Sequence, residues 1–324
     1  MNENPIFIGG AHKSGTTLLR SLLSDHPRLF AIPFETVLPE LLGWQVDIPY
    51  RRQRASRRSP EQVREHILRW VRFSNEQDQD RLSDNLLLGR MDMARFEGAL
   101  RIEGTSLRHV GDVVFRACHA GLMGQDLPGS IRVVEKSVVN HAFAREFIEA
   151  WPNAKLVHVV RNPYAHFVSF RRYKQRSGAY PLLSKLIGTL QVHFEMLERN
   201  LESIPGYEMV RYEDLVLRRE ATMRSLIQEL DLAWDDALLV PTKTGVAWKG
   251  NSSRVADAEA GVDLNAWQQD ITDREVALVE KHLGPWVDRM GYDRSPVKGT
   301  RAAALDQCSG LVRTLRNRLW EMSH

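Results

Sequence analysis

The feature that most constrains the fold is a glycine-bounded loop between a short apolar segment and a helix-like segment near the start of the chain. Ile6–Gly9 is an unbroken apolar run, and residues 17–23 (TLLRSLL) have helical character. Between them the chain reads GAHKSGTT, in which four residues separate Gly10 from Gly15. A strand that turns through glycines into a helix exposes backbone N–H groups and the positive helix end. The sequence therefore predicts a phosphate-binding loop.

This loop has the Gly-x4-Gly spacing of a P-loop but lacks the usual ending. Thr16 follows Gly15 where ATP-binding loops place a lysine, and the lysine of this chain stands earlier, at Lys13. P-loop NTPases usually present an aspartate at a strand end to hold Mg²⁺, whereas the apolar run 156–160 ends in Arg161. A nucleotide with two separate phosphate groups and no metal fits these features better than ATP.

Further apolar runs predict a parallel sheet. Residues 132–134, 156–160 and Tyr207–Arg211 are apolar or β-branched runs, and the first two lead into polar and then helix-like sequence. A long amphipathic helix over residues 183–201 precedes the last run. The alternation predicts an α/β protein with a parallel-sheet, P-loop NTPase-like, three-layer fold.

Residues from about 43 to 128 interrupt this alternation. They contain helix-like stretches such as 61–73 and 96–101 with almost no strand pattern, which predicts a helical insertion over the sheet. Five arginines within residues 51–58 form either a solvated segment or a patch that steers an acidic acceptor or a membrane surface. We expect one domain over residues 1–294 and a basic tail with a terminal helix over 295–324, to which the sequence assigns no chemistry.

Charge and cysteine content limit the partners and the compartment. Forty-four basic and 41 acidic residues give a net charge of +3, which is too balanced to predict wholesale binding to nucleic acid or to a membrane, so any anionic partner has to meet local clusters. Cys118 and Cys308 stand far apart without a metal-ligand pattern, so we expect reduced thiols. The chain has neither a signal-peptide pattern nor about 18 consecutive apolar residues. It is predicted to be cytoplasmic without a transmembrane segment, and its oligomeric state is not predicted.

Several motifs together resemble the sulfotransferases that use 3′-phosphoadenosine 5′-phosphosulfate (PAPS). Residues 13–17 (KSGTT) resemble their 5′-phosphosulfate loop, and residues 161–164 (RNPY) with Ser169 resemble their 3′-phosphate motif. Further similarity lies in three segments, 135–137 (EKS), 211–215 (RYEDL) and 248–254 (WKGNSSR). The resemblance covers most of residues 5–294, but the insertion at about 43–128 is not matched in detail. It is closest in pattern to the bacterial and tyrosylprotein enzymes.

The resemblance implies that PAPS is the cosubstrate, that adenosine 3′,5′-bisphosphate (PAP) is the product, and that no metal takes part. It places the 5′-phosphosulfate on the loop, the 3′-phosphate on Arg161 and Ser169, the adenine near Tyr212, and residues 248–254 as a lid. The donor-binding residues expected in this way are His12, Lys13, Ser14, Gly15, Thr16, Thr17, Arg161, Ser169, Tyr212, Lys249, Gly250 and Arg254.

Two lysines are candidates for catalysis. Sulfuryl transfer moves charge onto the bridging oxygen as the S–O bond breaks, and a cation near that oxygen stabilises the transition state more than the ground state. The resemblance gives this role to Lys13. Lys136, in the EKS motif, is expected to contact the sulfuryl group or the acceptor, with a surface ion pair as the alternative.

The acceptor must also lose a proton to a base. Many cytosolic members have a histidine at the position of Val138. Its absence here argues against a mechanism in which that histidine is the base. The stretch from Asp25 resembles that of tyrosylprotein and bacterial enzymes, whose base is a glutamate, and with a one-residue offset that glutamate is Glu35. The alternative is that Glu35 only pairs with an arginine or caps a helix. His12 is a weaker candidate base, and His141 is predicted to be structural.

These features predict an enzyme that transfers a sulfuryl group from PAPS to an acceptor hydroxyl, or amine, by in-line attack without a metal. Two alternatives are a P-loop small-molecule kinase that uses Mg-ATP and a nucleotide-binding protein without activity. Carbohydrate, lipid-linked, peptidyl-tyrosine and small natural-product acceptors all stay open, because specificity is expected to lie in the insertion and the loops.

Overall fold

A central sheet and two layers of helices make up the part of the chain that the computed structural model describes, residues 4–47, 52–76, 87, 89–175, 180–248, 250, 263–294 and 311–323. The strands are β1 (Ile6–Gly9), β2 (Leu29–Ala31), β3 (Trp44–Asp47), β4 (Arg52–Ala55), β5 (Arg132–Lys136), β6 (Lys155–Val160), β7 (Tyr207–Arg211), β8 (Thr242–Lys243) and β9 (Val246–Ala247). The α-helices are α1 (Thr16–Leu23), α2 (Leu38–Leu41), α3 (Pro60–Glu76), α4 (Met93–Ala99), α5 (Leu107–Met123), α6 (Ala144–Ala150), α7 (Pro163–Gln175), α8 (Leu183–Ser203), α9 (Tyr212–Leu217), α10 (Arg219–Glu229), α11 (Asp273–Arg289) and α12 (Leu311–Ser323).

Five strands form an all-parallel sheet in the order β2-β5-β1-β6-β7. A parallel sheet has to bury both faces, which explains why its strands read as continuous apolar runs. In β1, Phe7 packs into one core, while Ile6 and Ile8 pack into the other. The predicted three-layer α/β fold is confirmed.

The two cores separate the helix layers. On one face, Leu19 and Leu22 of α1 pack with Ile227 of α10 against the sheet. On the other face, the ring of Phe7 stacks on that of Phe147 with centroids 4.1 Å apart, and helices α2 to α8 and α11 contribute buried residues to the same core. Among the described residues, none of the helices has both the length and the apolar character that a bilayer span requires.

The segment predicted as a helical insertion contains α3, α4 and α5, together with a β3–β4 hairpin that the sequence did not predict. The hairpin strands WQVD and RQRA carry mostly polar residues, so they lack the apolar pattern of the central strands. Phe115 of α5 packs in the same core as Phe7, which makes this helix part of the layer covering the sheet. β2 was also missed, because three residues are too short for a periodic pattern.

The strand order predicts where a ligand would bind, at the carboxyl ends of the central strands. β1 lies between β5 and β6, so the connections that follow these strands diverge at their carboxyl ends, where ligands bind in open α/β sheets. The chain leaves β1 at Gly10, β5 at Lys136, β6 at Arg161 and β7 at Tyr212. Four sequence-predicted functional segments therefore meet at this edge.

Candidate active site

Two glycines of the phosphate loop have backbone conformations and surroundings that exclude a side chain. Gly10 has a φ of 146°, and a Cβ there would lie 2.7 Å from the carbonyl oxygen of Val159. Gly15 has a φ of 112°, and its Cβ would lie 2.5 Å from Cδ2 of Tyr212. Gly10 therefore lets the loop turn against β6, and Gly15 lets Tyr212 pack on the start of α1.

The loop presents anion-binding groups at the start of α1. Gly15 precedes the helix and has no side chain to cap its N-terminal N–H groups. Ser14 is fully buried, and its Oγ has no hydrogen-bond partner among the described residues. Buried hydroxyls are normally satisfied, so this one is a candidate donor to a bound ligand. Lys13 adopts a left-handed conformation with a φ of 72°, and its Nζ lies 5.8 Å from the ring centroid of Tyr173.

The second cationic loop lies against the first. Arg161 follows β6, and its Nη1 donates a hydrogen bond to the carbonyl oxygen of Lys13 over 3.3 Å. The guanidinium carbon lies 4.6 Å from the ring centroid of Tyr212, in a cation–π contact. Because Tyr212 also packs on Gly15, the ends of β1, β6 and β7 form one continuous surface.

Asn162 fixes the backbone beside Arg161. Its Oδ1 accepts hydrogen bonds from the N–H groups of Tyr164 and Ala165, at 3.0 and 3.4 Å, and so caps α7. Its own N–H donates to Oε1 of Glu213 at 2.9 Å. The direction of the strand end is thus set from two neighbouring helices, α7 and α9. Ser169 lies further along α7 and is partly exposed.

Glu35 and Lys136 form a buried ion pair. Nζ of Lys136 lies 2.6 Å from Oε1 of Glu35, and the side chains are 3% and 11% exposed respectively. Trp70 of α3 donates from Nε1 to the carbonyl oxygen of Glu35 at 2.8 Å. Lys136 therefore does form an ion pair, but the pair is buried and does not lie on the surface as the alternative predicted.

A second carboxylate, Glu135, holds the Glu35 segment in place. It accepts hydrogen bonds from Thr36 N–H (3.2 Å), Thr36 Oγ1 (2.8 Å), Ser137 Oγ (2.6 Å) and Asn140 Nδ2 (2.6 Å). Complete burial raises the pKa of Glu135, against the opposing effect of these hydrogen bonds. The chain after β2 is thereby attached to the end of β5, which brings Glu35 to Lys136.

His12 lies among the candidate catalytic groups. Burial, as the largest effect, lowers its pKa to about 4; the charge of Glu35 opposes this, and those of Lys174, Lys136 and Lys13 reinforce it. These charges act on one imidazole, so the lysines and the carboxylate converge around it. The ring centroid of His12 lies 5.5 Å from that of Tyr173. The imidazole is therefore neutral at pH 7, with the low basicity that its lowered pKa implies.

A cluster of buried histidines lies beneath the loop. The N–H of Ala11 donates to Nδ1 of His193 at 3.1 Å, and Nε2 of His158 lies 2.9 Å from the same nitrogen. Burial lowers the pKa of both imidazoles. Since a backbone N–H can only donate, His193 Nδ1 is an acceptor, and we assign the proton to His158 Nε2. Tyr207 then donates to His158 Nδ1 at 2.9 Å.

His141 completes this cluster. Its imidazole is buried, and burial lowers its pKa to about 4. One ring nitrogen from each of His141, His158 and His193 lies within 4.8 Å of the others, a spacing at which a metal ion could be held. A metal ion on Nδ1 of His193 would have to displace the hydrogen bond from Ala11. Both ring nitrogens of His141 lack a hydrogen-bond partner among the described residues, so the support for the phosphate loop comes from His193 and His158.

The lid motif falls mostly outside the described residues. Lys249 and residues 251–262, which include Arg254, are not described, and Gly250 has a φ of 89°. Trp248 packs on the core that contains α1. In the arginine-rich segment, Arg51 lies outside the described residues, and Arg58 donates from Nη1 to the carbonyl oxygens of Glu40 and Leu41 at 2.6 Å each.

Three parts of the site were missed from the sequence. Phe170 and Tyr173, one helical turn apart on α7, flank His12, but nearby aromatic residues on a helix more often indicate core packing. Asn162 belongs to the RNPY motif, but its role as the cap of α7 was not predicted, although Asn before Pro163 is the pattern of a helix start. The contact between His158 and His193 could not be predicted from sequence, because the two residues are 35 positions apart and meet only in the folded protein.

Comparison with known proteins identifies the class that this fold and site define. The model of the sulfotransferase family matches residues 5–236, well over half of the chain. The chain therefore belongs to the sulfotransferase family.

Two curated relatives come from bacteria and animals. An omega-hydroxy-beta-dihydromenaquinone-9 sulfotransferase of Mycobacterium bovis is 28% identical over 167 residues, which cover 48% of this chain and 40% of the relative. A protein-tyrosine sulfotransferase of Drosophila melanogaster is 25% identical over 240 residues, which cover 72% of this chain and 39% of the relative. The chain thus matches about two fifths of the length of each.

Among solved structures, sulfotransferase STF9 from Mycobacterium avium is similar with a TM-score of 0.50. The sequence identity is 13%, and the match covers 92% of this chain and 79% of that chain. This similarity concerns the fold, and it agrees with the parallel sheet described above.

Proposed function

We propose that the protein transfers a sulfuryl group from PAPS to an acceptor hydroxyl by in-line attack. The contact between Arg161 and Lys13 carries this proposal, because it places two cationic loops at neighbouring strand ends within reach of one nucleotide. A donor with a phosphosulfate on one side of the ribose and a phosphate on the other needs two such cationic places. Family membership supports the same chemistry.

The phosphate loop would hold the phosphosulfate. Ser14 supplies a buried hydroxyl, Thr16 and Thr17 begin α1, and the positive helix end favours the anion. Arg161 and Ser169 would bind the 3′-phosphate, and Tyr212 would contact the adenine. Arg161 suits this role because a planar guanidinium binds phosphate through two hydrogen bonds. His12, Gly15, Lys249, Gly250 and Arg254 complete the proposed donor site.

The chemical step divides between Lys13 and Glu35. The acceptor oxygen attacks sulfur while its proton passes to the Glu35 carboxylate, and the bond from sulfur to the bridging oxygen breaks. Lys13 compensates the negative charge that develops on that oxygen as PAP leaves. Lys136 neutralises Glu35 within a buried site and orients it towards the acceptor. His12, whose pKa of about 4 makes it a weak base, contributes packing instead of proton transfer.

The family and the carboxylates both favour this reaction over a kinase. Glu135, the acidic residue at the end of β5, already accepts four hydrogen bonds from protein groups. It is therefore poorly placed to serve as the acidic residue that holds Mg²⁺ in P-loop NTPases. At the end of β6 the chain carries Arg161 instead of an acid.

The acceptor is proposed to be a hydroxyl because the names of both relatives point to one. One is named for an omega-hydroxy quinone and the other for protein tyrosine, whose side chain is a phenol. We further propose a cytoplasmic protein with reduced thiols, in which Cys118 is fully buried and burial raises the pKa of its thiol.

Two measurements test the proposal. Thermal-shift titration should give stronger stabilisation by PAP without Mg²⁺ than by Mg-ATP, and the reverse order would favour the kinase. Incubation with PAPS and a pool of hydroxyl compounds should yield a product heavier by one SO₃ unit. Binding of PAP without any sulfated product across a broad panel would favour the nucleotide-binding protein without activity.

A further inference from the structure

The helix α12 has a buried face and an exposed apolar face. Asn317 is 7% exposed, and its side chain accepts from the N–H of Leu183 at 3.0 Å and donates to the carbonyl oxygen of Pro181 at 3.2 Å. Trp320 stacks on His282 of α11 with ring centroids 5.3 Å apart. These contacts fix the orientation of the helix on the protein.

The opposite face presents three large apolar side chains to solvent. Leu315, Leu319 and Met322 are 49%, 64% and 84% exposed. Steps of four and three residues place them on one side of a helix. Isolated exposed apolar residues are ordinary, but a row of three on one helix costs free energy in water unless something covers it.

Arginines border this row on both sides. Arg316 follows Leu315 and Arg318 precedes Leu319, and each step rotates about 100° around the helix, in opposite directions. Both arginines are exposed. An apolar row between cationic edges is the pattern of helices that lie in the interface of an anionic bilayer. Two copies of α12 packed row to row would bring like charges together along their edges, which disfavours self-association.

The helix α12 packs on the start of α8, which follows α7 in the chain. Pro181 and Leu183, which Asn317 contacts, come soon after α7, the helix that carries Tyr173 and Lys174 beside His12 and Lys13. Lys185 in the same region is exposed and close enough to act on Lys174 electrostatically. The cationic character of this side therefore extends beyond α12.

We propose that α12 is an interfacial helix that binds an anionic lipid bilayer through Leu315, Leu319 and Met322, with Arg316 and Arg318 on the headgroups. The bilayer then lies on the side of the protein where α12 packs on the start of α8 and on α11. If the proposed function holds, this arrangement delivers a hydroxyl acceptor that partitions into the membrane.

Sedimentation of the full chain with vesicles tests the proposal independently of activity. Vesicles of phosphatidylcholine with phosphatidylglycerol should bind the protein, and vesicles of phosphatidylcholine alone should bind it at least about tenfold more weakly. The double variant Leu315→Gln/Leu319→Gln should lose binding about tenfold or more. Leu217→Gln is the matched control, because Leu217 is 71% exposed on α9 and should not affect binding.

The charge contribution is tested by Arg316→Gln/Arg318→Gln, which should weaken binding to the anionic vesicles and reduce its salt dependence. Unchanged thermal stabilisation by PAP in each variant shows that the fold and the donor site are intact, so a failure of membrane binding is separable from a failure of the proposed function. Absence of wild-type binding, or equal binding by the double leucine variant, would overturn the proposal. So would a dimer, seen by light scattering, that the leucine variant converts to a monomer.

Discussion

Arg161 and Lys13 are joined by a hydrogen bond of 3.3 Å from the Arg161 guanidinium to the Lys13 carbonyl oxygen. Because the acceptor is the backbone carbonyl oxygen, the Lys13 side chain takes no part in this bond, which holds the guanidinium against the loop. Tyr212 stacks on the same guanidinium at 4.6 Å. Arg161 is thus positioned before a nucleotide binds, which lowers the entropy cost of binding.

We expect Arg161→Ala to weaken PAP binding by about 10- to 100-fold. A hydrogen bond to a charged group contributes about 1.5–3 kcal/mol, and each 1.4 kcal/mol is about tenfold in affinity. Isothermal titration calorimetry measures the change. Arg218→Ala is the control, since the Arg218 side chain is 67% exposed and pairs with Asp214. Equal losses in both variants would contradict a specific role for Arg161.

Lys13→Met should lower kcat by about 10²- to 10³-fold while PAP affinity changes far less. The expected size is that of removing one group that stabilises developing charge. Methionine keeps a long side chain and carries the same backbone strain at a φ of 72°, so stability should be retained. Single-turnover kinetics with PAPS measure the chemical step. A variant that turns over at the wild-type rate would remove Lys13 from the mechanism.

A double-mutant cycle can measure the coupling between Glu35 and Lys136. Removing one partner of a buried ion pair costs about 3–5 kcal/mol of stability, because the other charge is left uncompensated. We expect Glu35→Gln and Lys136→Met each to lower the unfolding free energy, and the double variant to recover most of it. Chemical denaturation measures this coupling.

Activity measured on the same four proteins shows whether Glu35 acts in catalysis or whether the ion pair only stabilises the fold. If Glu35 is the base, the double variant regains stability without regaining kcat, and PAP binding persists throughout. A double variant as active as the wild type would show that the pair serves the fold alone. The base would then have to be sought elsewhere.

The sequence predicted the sheet and the loop because both depend on local pattern. The apolar run Ile6–Gly9 predicted the strand. The glycines at 10 and 15 predicted the loop, because its turn needs a backbone geometry that few other residues allow. The ion pair between Glu35 and Lys136 was not predicted, because it depends on Glu135 drawing the chain after β2 onto the end of β5. Such contacts between distant segments leave no periodic signal.

Stability should decrease as the pH falls from about 6.5 towards 4. His141 and His166 are buried, and burial lowers their pKa values to about 4 and about 3, from 6.5. In this interval the unfolded chain binds protons that the folded protein does not, so each imidazole contributes a loss of up to about 1.4 kcal/mol per pH unit. His158 and His193 act in the same direction.

Denaturation at several pH values gives the slope, which should exceed that of one histidine. Glu135, Glu40 and Glu208 act oppositely, because burial raises the pKa of each carboxyl group and so favours the folded protein as the pH falls towards 4.5. The four imidazoles outnumber these three carboxyl groups, so the slope should keep its sign. His66→Gln, at a histidine outside the cluster, should leave the slope unchanged. A flat profile between pH 6.5 and 5 would refute the neutral buried cluster.

The cluster also links the core to the phosphate loop through one hydrogen bond, from the N–H of Ala11 to Nδ1 of His193. His193→Asn places an oxygen near the position of that nitrogen, whereas His193→Leu removes the acceptor and leaves the buried N–H unsatisfied. An unsatisfied buried donor costs about 1–3 kcal/mol. We therefore expect weaker PAP binding in the leucine variant than in the asparagine variant, although both lose packing, and calorimetry can rank them. Metal analysis of the purified wild-type protein provides a second readout, because a bound ion that is lost in both variants would make the cluster a metal site and not a hydrogen-bonded support.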